Sequence, residues 1–234
     1  MKAAAVIPAA GLGSRMGTQV PKPYLLLAGR PILAHTLAVF EALPEVTEIT
    51  LVVHPQELEH CQERILTPYG FRKVLRLVPG GKERQDSVYH GLKALRAAGA
   101  PELVLVHDGV RPLVRGEDVR RVLQEARRHG AAVLGWPAQD TLKRVSPQGE
   151  VLGTLDRRQI WQIQTPQAFH TELLWRALVE AYARGVYATD EAALVELLPH
   201  PVRVVRGSPF NLKITTPEDL ALAEALLARK GEGS

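Results

Sequence analysis

The sequence predicts an α/β protein built on a Rossmann-like, mostly parallel β-sheet flanked by helices. Short apolar runs alternate along the chain with longer segments whose apolar residues recur at helical spacing. Glycines or an aspartate follow several of these runs directly, as expected at the carboxyl ends of parallel strands. The length of 234 residues and the hydrophobic content of 46% suit a single domain, residues 1–234.

Most of the predicted strands are short apolar runs bounded by residues that commonly end strands. These runs cover residues 3–7, 49–53, 74–78, 103–106, 131–135 and 202–205, and a further short strand is predicted over residues 211–214.

The segments between the strands predict helices. Thr189-Asp190-Glu191 is typical of a helix N-cap followed by acidic first-turn residues. Residues 215–219 cap the last helix and place a proline at its first position. Further helices are predicted near residues 32–43, 58–65, 84–97, 117–129 and 173–183.

The alternation stops between residues 138 and 169, where no helical period is found. Residues 141–145 and 151–155 flank a turn at 146–150, as in a β-hairpin. A hairpin has little core of its own, so we expect residues 138–163 to form a projecting β-arm insertion that packs on a second copy of the chain. The expected assembly is a homodimer.

Charge and cysteine content narrow the class of protein. The net charge is only +4 and no block of basic residues occurs, so a small anionic substrate is favoured over nucleic acid. Cys61 is the only cysteine, which excludes an intramolecular disulfide. The first apolar run is too short for a signal peptide and no stretch reaches 18 apolar residues, so we expect a cytoplasmic protein without membrane contact.

The stretch after the first predicted strand has the composition of a phosphate-binding loop. Ala9, Ala10, Gly11 and Gly13 carry little or no side chain, so backbone N–H groups there can approach a phosphate. A guanidinium and an ammonium group follow, at Arg15 and Lys22. The stretch therefore predicts a cradle for a triphosphate.

Two other kinds of glycine loop are possible interpretations of this stretch. A Walker A loop is excluded because its Gly-Lys-Ser/Thr ending is absent. Gly11, Gly13 and Gly17 approximate a dinucleotide-binding fingerprint, but two prolines interrupt the helix that should follow, and no acidic residue occurs at the distance expected for a ribose contact. A dinucleotide site and a plain glycine turn remain the alternatives.

Two further loops end predicted strands at the same edge of the sheet. Gly80-Gly81 follows the third strand, and Asp108 follows the fourth with Arg111 close behind. Either loop alone is equally well explained as an ordinary turn. Because ligands bind beyond the carboxyl ends of parallel strands, their coincidence with the first loop favours a binding site there, with Asp108 a candidate Mg²⁺ ligand.

Other chemistries find little support. The metalloprotease, paired-cysteine and serine-hydrolase motifs are all absent. Cys61 lies beside His60, but adjacent residues of a helix point apart, so a core cysteine is the favoured interpretation. Lys213, between apolar Leu212 and Ile214, is not explained by helix capping.

Taken together, the motifs resemble a known family. They run in order from the first strand to the last helix, and those beyond the glycine loop are the more specific. They are Pro8-Ala9-Ala10-Gly11-x-Gly13-x-Arg15-Met16, Pro21-Lys22, Gly80-Gly81-x-Glu83-Arg84-x-Asp86-Ser87-Val88, Val106-His107-Asp108, Asp140-Thr141-x-Lys143, Asp156-Arg157, Thr165-Pro166-Gln167, Thr189-Asp190-Glu191 and Asn211-x-Lys213. The chain is similar in these motifs to the 2-C-methyl-D-erythritol 4-phosphate cytidylyltransferases of the non-mevalonate isoprenoid pathway.

The resemblance implies a nucleotidyltransferase-type fold and the transfer of a cytidylyl group from CTP to methylerythritol phosphate, with Mg²⁺ as cofactor. It implies that Arg15, Lys22 and Lys213 are catalytic and that Asp108 holds the metal. By the same resemblance, the nucleotide is bound by Ala9, Ala10, Gly11, Gly13, Gly81, Ser87, Asp108 and Gly109. The acceptor is bound by Thr141, Arg157, Thr189 and Lys213, with the first two of these reaching across the dimer.

Three other functions remain to be weighed. A ribitol 5-phosphate cytidylyltransferase shares the scaffold and would differ in the acceptor pocket. A dinucleotide-dependent oxidoreductase would need an acidic residue to bind the ribose, and this sequence has none at the expected position. A nucleotide-binding module without catalysis is disfavoured by the presence of both Arg15 and Lys22.

Overall fold

The computed structural model of the chain describes residues 2–11 and 20–231. Its strands are β1 (Ala3–Ala9), β2 (Leu26–Leu27), β3 (Arg30–Pro31), β4 (Val46–Val53), β5 (Val74–Pro79), β6 (Leu103–Val106), β7 (Ala131–Pro137), β8 (Lys143–Val145), β9 (Val151–Thr154), β10 (Trp161–His170) and β11 (Arg203–Arg206). Its helices are α1 (Ile32–Ala42), α2 (Leu58–Cys61), α3 (Thr67–Tyr69), α4 (Arg84–Ala97), α5 (Gly116–His129), α6 (Thr171–Ala183), α7 (Glu191–Val195) and α8 (Pro217–Gly231). A π-helical turn, Gln62–Leu66, joins α2 to α3.

Seven strands form one central sheet in the order β11-β7-β10-β6-β1-β4-β5. The pairs made by β1 with β4 and β6, by β4 with β5 and by β7 with β11 are parallel, whereas β10 runs antiparallel to both of its neighbours. The predicted α/β fold with a mostly parallel sheet is confirmed.

Strand β10 is the main difference from the predicted fold. Residues 161–163, which were predicted to belong to the insertion 138–163, lie at the start of β10 and pair with β7 of the central sheet. The prediction of a strand over residues 211–214 is wrong, because that segment pairs with no strand of the sheet. Its backbone instead binds the loop after β6, where the Ile214 N–H donates to the Val110 carbonyl.

Helices cover both faces of the sheet. One buried cluster includes Leu37 and Phe40 of α1 and Val122 of α5, and the other includes Leu92 of α4 and Leu178 of α6. Burial on both faces explains why the central strands are continuous apolar runs rather than alternating ones. Within the described part of the chain, no helix is long and apolar enough to cross a membrane.

Strands β8 and β9 form a separate two-stranded antiparallel sheet, so the predicted hairpin is confirmed. Its apolar side chains are largely exposed: Val145 is 48% exposed, Val151 62% and Leu152 55%. The hairpin therefore leaves apolar surface that the body of this chain does not cover.

Candidate active site

A cavity of about 290 Å³ opens at the carboxyl ends of β1, β5 and β6. The described residues that line it come from the first strand, both glycine loops, the loop after β6 and the segment before α8. They are Pro8, Ala9, Ala10, Gly11, Lys22, Pro23, Gly81, Lys82, Glu83, Arg84, Ser87, Asp108, Val110 and Lys213. The predicted meeting of three loops at one edge of the sheet is thus confirmed.

The loop after β1 supplies backbone and one cation to this cavity. Ala9, Ala10 and Gly11 line it, and Lys22, which begins a short 3₁₀ turn, is only 8% exposed. Gly13 and Arg15, which were predicted to bind phosphates, lie outside the described residues.

The two glycine loops touch one another, and only glycine fits where they meet. A Cβ atom on Gly80 would lie 2.5 Å from the Cβ of Ala10. A Cβ atom on Gly81 would lie 2.3 Å from the Cβ of Asp86, and the Gly81 N–H donates to the Ser87 hydroxyl at 3.2 Å. Side chains are absent here because the two backbones and the start of α4 pack directly together.

Asp108 is the centre of the site's charge arrangement. Its Oδ1 accepts from Nε of Arg84 at 2.9 Å, and its Oδ2 lies 3.0 Å from Nζ of Lys213 and 3.4 Å from Nε of Arg111. These cations come from α4, from the segment before α8 and from the loop after β6. One buried carboxylate therefore fixes three positive side chains from distant parts of the sequence.

The charges shift the pKa values of these groups. Burial alone would raise the pKa of Asp108, but the neighbouring Arg84, Lys213 and Arg111 hold it well below its usual range. Burial likewise opposes the charge on Arg84, yet Glu191 and Asp108 raise the pKa of its guanidinium. Counted within this cluster, three cations face two carboxylates, which leaves the cluster with one surplus positive charge.

Glu191 belongs to the site although its sequence context predicted only a helix N-terminus. Its carboxylate accepts from Nη1 and Nη2 of Arg84 at 2.6 and 3.0 Å, and its side chain is 1% exposed. Asp190 is the N-cap of α7 in the structure and accepts from the Ala193 N–H at 3.0 Å. Asp190 caps the helix, whereas the neighbouring Glu191 forms a buried ion pair with Arg84. The sequence pattern alone does not distinguish these two functions.

Gln167 of β10 holds the start of α7 in place. Its amide donates to Oδ2 of Asp190 at 2.8 Å and accepts from the Ala192 N–H at 3.0 Å. These two hydrogen bonds bracket Glu191, so strand β10 fixes the residue that orients Arg84.

A chain of hydrogen bonds fixes the backbone that carries Asp108. The Asp108 N–H donates to the Thr165 hydroxyl at 3.1 Å, which lies 3.0 Å from Nδ1 of His107, while Nε2 of His107 lies 3.1 Å from the Arg111 carbonyl. The carbonyl can only accept, so Nε2 carries the proton and Nδ1 accepts from Thr165. Burial lowers the pKa of His107 to about 4, which keeps the imidazole neutral.

Asn211 holds the segment that carries Lys213. Its side-chain amide donates to the Thr165 carbonyl at 2.8 Å, and its own carbonyl accepts from Nη1 of Arg111 at 2.8 Å. Asn211 thereby joins β10, the loop after β6 and the lysine segment. Lys213 is brought to Asp108 by these polar contacts, not by a strand.

Several predicted site residues do not line the cavity. Gly109 lies behind it, where its N–H donates to the Pro8 carbonyl and an added Cβ would lie 2.9 Å from the Cβ of Ala9. Thr141 and Arg157 are exposed near the hairpin, and the Arg157 guanidinium donates to the Gln139 carbonyl. Thr189 is exposed just before α7. Cys61 is fully buried, as predicted for a core residue.

The donor groups present suit a magnesium ion that arrives with its ligand. Among residues 2–11 and 20–231, no three acidic, histidine or cysteine side chains come together as a metal cage. The cavity offers the Asp108 carboxylate beside cations suited to phosphate. Magnesium is commonly bound through one or two carboxylates together with substrate phosphates. Asp108 would supply one such oxygen in exchange for one of its present contacts with Arg84, Arg111 and Lys213.

We expect the free energy of unfolding to fall as the pH is lowered from about 6.5 to about 4, because the unfolded state binds a proton that folded His107 does not. Above this window His107 is neutral in both states, and below it the residue is protonated in both. The shift corresponds to about 3 kcal/mol. Urea unfolding across this range should show a shallower dependence for His107→Asn than for the unchanged protein.

The exposed His129 provides the control for this measurement. His129→Asn should keep the pH dependence of the unchanged protein. Equal pH dependence in His107→Asn and the unchanged protein would contradict the assignment of a neutral buried imidazole.

Comparison with known proteins assigns the chain to a family. The family model for 2-C-methyl-D-erythritol 4-phosphate cytidylyltransferase matches residues 3–229. The enzyme of that name from Desulforamulus reducens is 54% identical over 226 residues, which are 97% of this chain and 96% of the relative. The one from Pelotomaculum thermopropionicum is 49% identical over 98% of this chain and 96% of its own length.

Solved structures agree. The 4-diphosphocytidyl-2C-methyl-D-erythritol synthase of Anaerococcus prevotii superposes with a TM-score of 0.85 at 35% identity, over 97% of this chain and 96% of that one. The 2-C-methyl-D-erythritol 4-phosphate cytidylyltransferase of Thermus thermophilus gives 0.77 at 36% identity, over 97% and 100% of the two chains. This chain belongs to the 2-C-methyl-D-erythritol 4-phosphate cytidylyltransferase family.

Proposed function

We propose that this chain transfers the cytidylyl group of CTP to 2-C-methyl-D-erythritol 4-phosphate, releasing pyrophosphate, as a step of isoprenoid biosynthesis. Its family membership supports this activity over transfer to ribitol 5-phosphate. The observation that carries the proposal is the convergence of glycine-loop backbone with Lys22, Arg84 and Lys213 on one cavity. Such a surface is suited to a triphosphate and a second phosphate ester.

The reaction needs positioning more than proton transfer. An oxygen of the acceptor's phosphate attacks the α-phosphorus of CTP, a new P–O bond forms, and the bond to the β-phosphate oxygen breaks with its electron pair leaving on pyrophosphate. The attacking monoester is mostly dianionic near neutral pH, since its second pKa is about 6. No strong general base is required, and the barrier lies in bringing anions together.

Positive side chains lower that barrier. We assign Lys22 and Arg15 to the α-phosphate and its transition state, and Gly11 and Gly13 to backbone contacts with the phosphates. Lys213 bridges the two substrates, because it lines the nucleotide cavity and the family's pattern also gives it an acceptor contact. Burial of Lys22 strengthens its interaction with developing negative charge.

The cytidine is assigned to the part of the cavity where the glycine loops meet. Ala9, Ala10, Gly81 and Ser87 line it there. Gly109 acts from behind, because its lack of a side chain lets the loop after β6 pack on Ala9. Asp108 is assigned to the ribose side and would hold Mg²⁺, which neutralises phosphate charge when bound.

The acceptor is assigned to Thr189 and Lys213 of one subunit and to Thr141 and Arg157 of another. In this chain Thr141 and Arg157 lie near the hairpin and do not line its own cavity. The exposed apolar residues of β8 and β9 support a β-arm that packs on a second copy. We therefore propose a homodimer in which the arms are exchanged, and a cytoplasmic location consistent with a single cysteine.

The proposed activity is tested by pyrophosphate release. Each of the four nucleoside triphosphates is supplied with Mg²⁺ and with either methylerythritol phosphate or ribitol 5-phosphate. We expect turnover with CTP and methylerythritol phosphate and little with the other combinations. No turnover with that pair would reject the proposal, and preference for ribitol phosphate would reassign the acceptor.

Lys22→Ala and Arg15→Ala should each lower kcat on the order of 10² to 10³-fold, about 3 to 4 kcal/mol, because each removes a contact that strengthens in the transition state. Steady-state kinetics with both substrates varied provide the measurement. Lys93→Ala and Arg128→Ala, which remove exposed cations outside the cavity, are the matched controls. A rise confined to KM would make Lys22 and Arg15 ground-state binders instead.

Exchange of the arms predicts complementation between two inactive variants. Mixing Lys22→Ala with Arg157→Ala protomers after reversible dissociation should restore about a quarter of full activity, because half of the dimers are mixed and each mixed dimer has one intact site. If Arg157 serves its own subunit, every site keeps one defect and no activity returns. Sedimentation should show a dimer for both variants and for the mixture.

A further inference from the structure

Three consecutive residues at the start of α4 all bind the same distant segment, residues 182–191. Arg84 pairs with Glu191, as described above. The Gln85 amide donates to the Val186 carbonyl at 3.1 Å and accepts from the Ala188 N–H at 2.9 Å. Asp86 accepts from the hydroxyl groups of Tyr182 and Tyr187 at 2.8 and 3.2 Å. The segment is therefore attached to α4 at five residues between Tyr182 and Glu191.

Asp86 also holds the second glycine loop. Its Oδ2 accepts from the Glu83 N–H at 2.9 Å, while its Oδ1 accepts from the two tyrosines. Its Cβ packs so closely on Gly81 that no side chain fits there. One carboxylate thus joins the loop that lines the cavity to the end of α6 and to the segment that follows it.

The hydroxyl donors stabilise the charged form of Asp86. Partial burial opposes ionisation, but the Glu83 N–H and the two tyrosine hydroxyls keep the pKa of this carboxyl below its usual value. Hydrogen bonds to a charged acceptor are stronger and shorter than neutral ones. The carboxylate therefore has fixed positions for both of its oxygens.

Under the proposed function, the second glycine loop and the segment 182–191, which Asp86 joins, bind different substrates. Gly81 and Glu83 line the nucleotide cavity. Thr189, assigned to the acceptor, lies between Ala188, which Gln85 binds, and Glu191, which Arg84 binds. A change in the Asp86 contacts reaches both.

We propose that Asp86, held by Tyr182 and Tyr187, is a positioning residue. It keeps the second glycine loop and the segment 182–191 in one fixed arrangement. Asp86 does not line the cavity, and through these contacts it sets the affinity for both substrates. This inference rests on the proposed function for the identity of the two substrates, but its effect on nucleotide affinity is measurable without turnover.

The test removes the two hydroxyl groups and keeps the rings. The Tyr182→Phe/Tyr187→Phe variant should bind CTP about 3- to 10-fold more weakly by calorimetry in the absence of acceptor, as expected for lost hydrogen bonds to a charged group. Its KM for methylerythritol phosphate should rise by a similar factor, with kcat within about twofold of the unchanged protein. If the double variant does not fold, Tyr187→Phe alone serves, because Tyr187 is 57% exposed.

Tyr89→Phe is the matched control. The Tyr89 ring packs against Tyr182 at 5.1 Å between centroids, but its hydroxyl is not one of the donors to Asp86. The control should leave both affinities unchanged. Unaltered CTP and acceptor affinities in the double variant, or a loss confined to kcat and thermal stability, would overturn the proposal. Failure of CTP turnover in the unchanged protein would instead reject the proposed function.

Discussion

The structure of the site depends on the interaction of one buried carboxylate with three cations. Arg84, Arg111 and Lys213 would repel one another at this distance if Asp108 did not lie between them. Removing one member of a buried ion pair typically costs about 3 to 5 kcal/mol, so the group is stable only when complete. The positive surface that we propose for phosphate binding is thereby held in place by contacts within the protein itself.

Strand β10 holds the residues around this charge cluster in position. Strand β10 contributes Thr165, which binds His107 and the Asp108 N–H, and Gln167, which holds the start of α7. Its antiparallel insertion between β6 and β7 places these polar side chains beside the carboxyl end of β6. The other strands of the sheet share one direction, which brings both glycine loops to the same edge. The position of the site therefore follows from the sheet topology.

Much of the fold could be predicted from the sequence, because helical spacing and apolar runs depend directly on which residues are buried. Helix α4 begins at Arg84 and ends at Ala97, as predicted. Strand β10 was missed because its glutamines and proline do not look buried. Gln164 and Gln167 are buried only because Ser208, Asp190 and Ala192 supply their hydrogen bonds, and such partners are not visible in a linear pattern.

The distribution of site residues along the chain bears on when the site can form. The glycine loops and Asp108 belong to the first half, but Thr165, Glu191 and Lys213 follow much later. During synthesis, the two glycine loops are therefore made before Glu191, which orients Arg84, and Lys213, which completes the charge cluster. The charge cluster is therefore complete only after the chain has been made as far as Lys213.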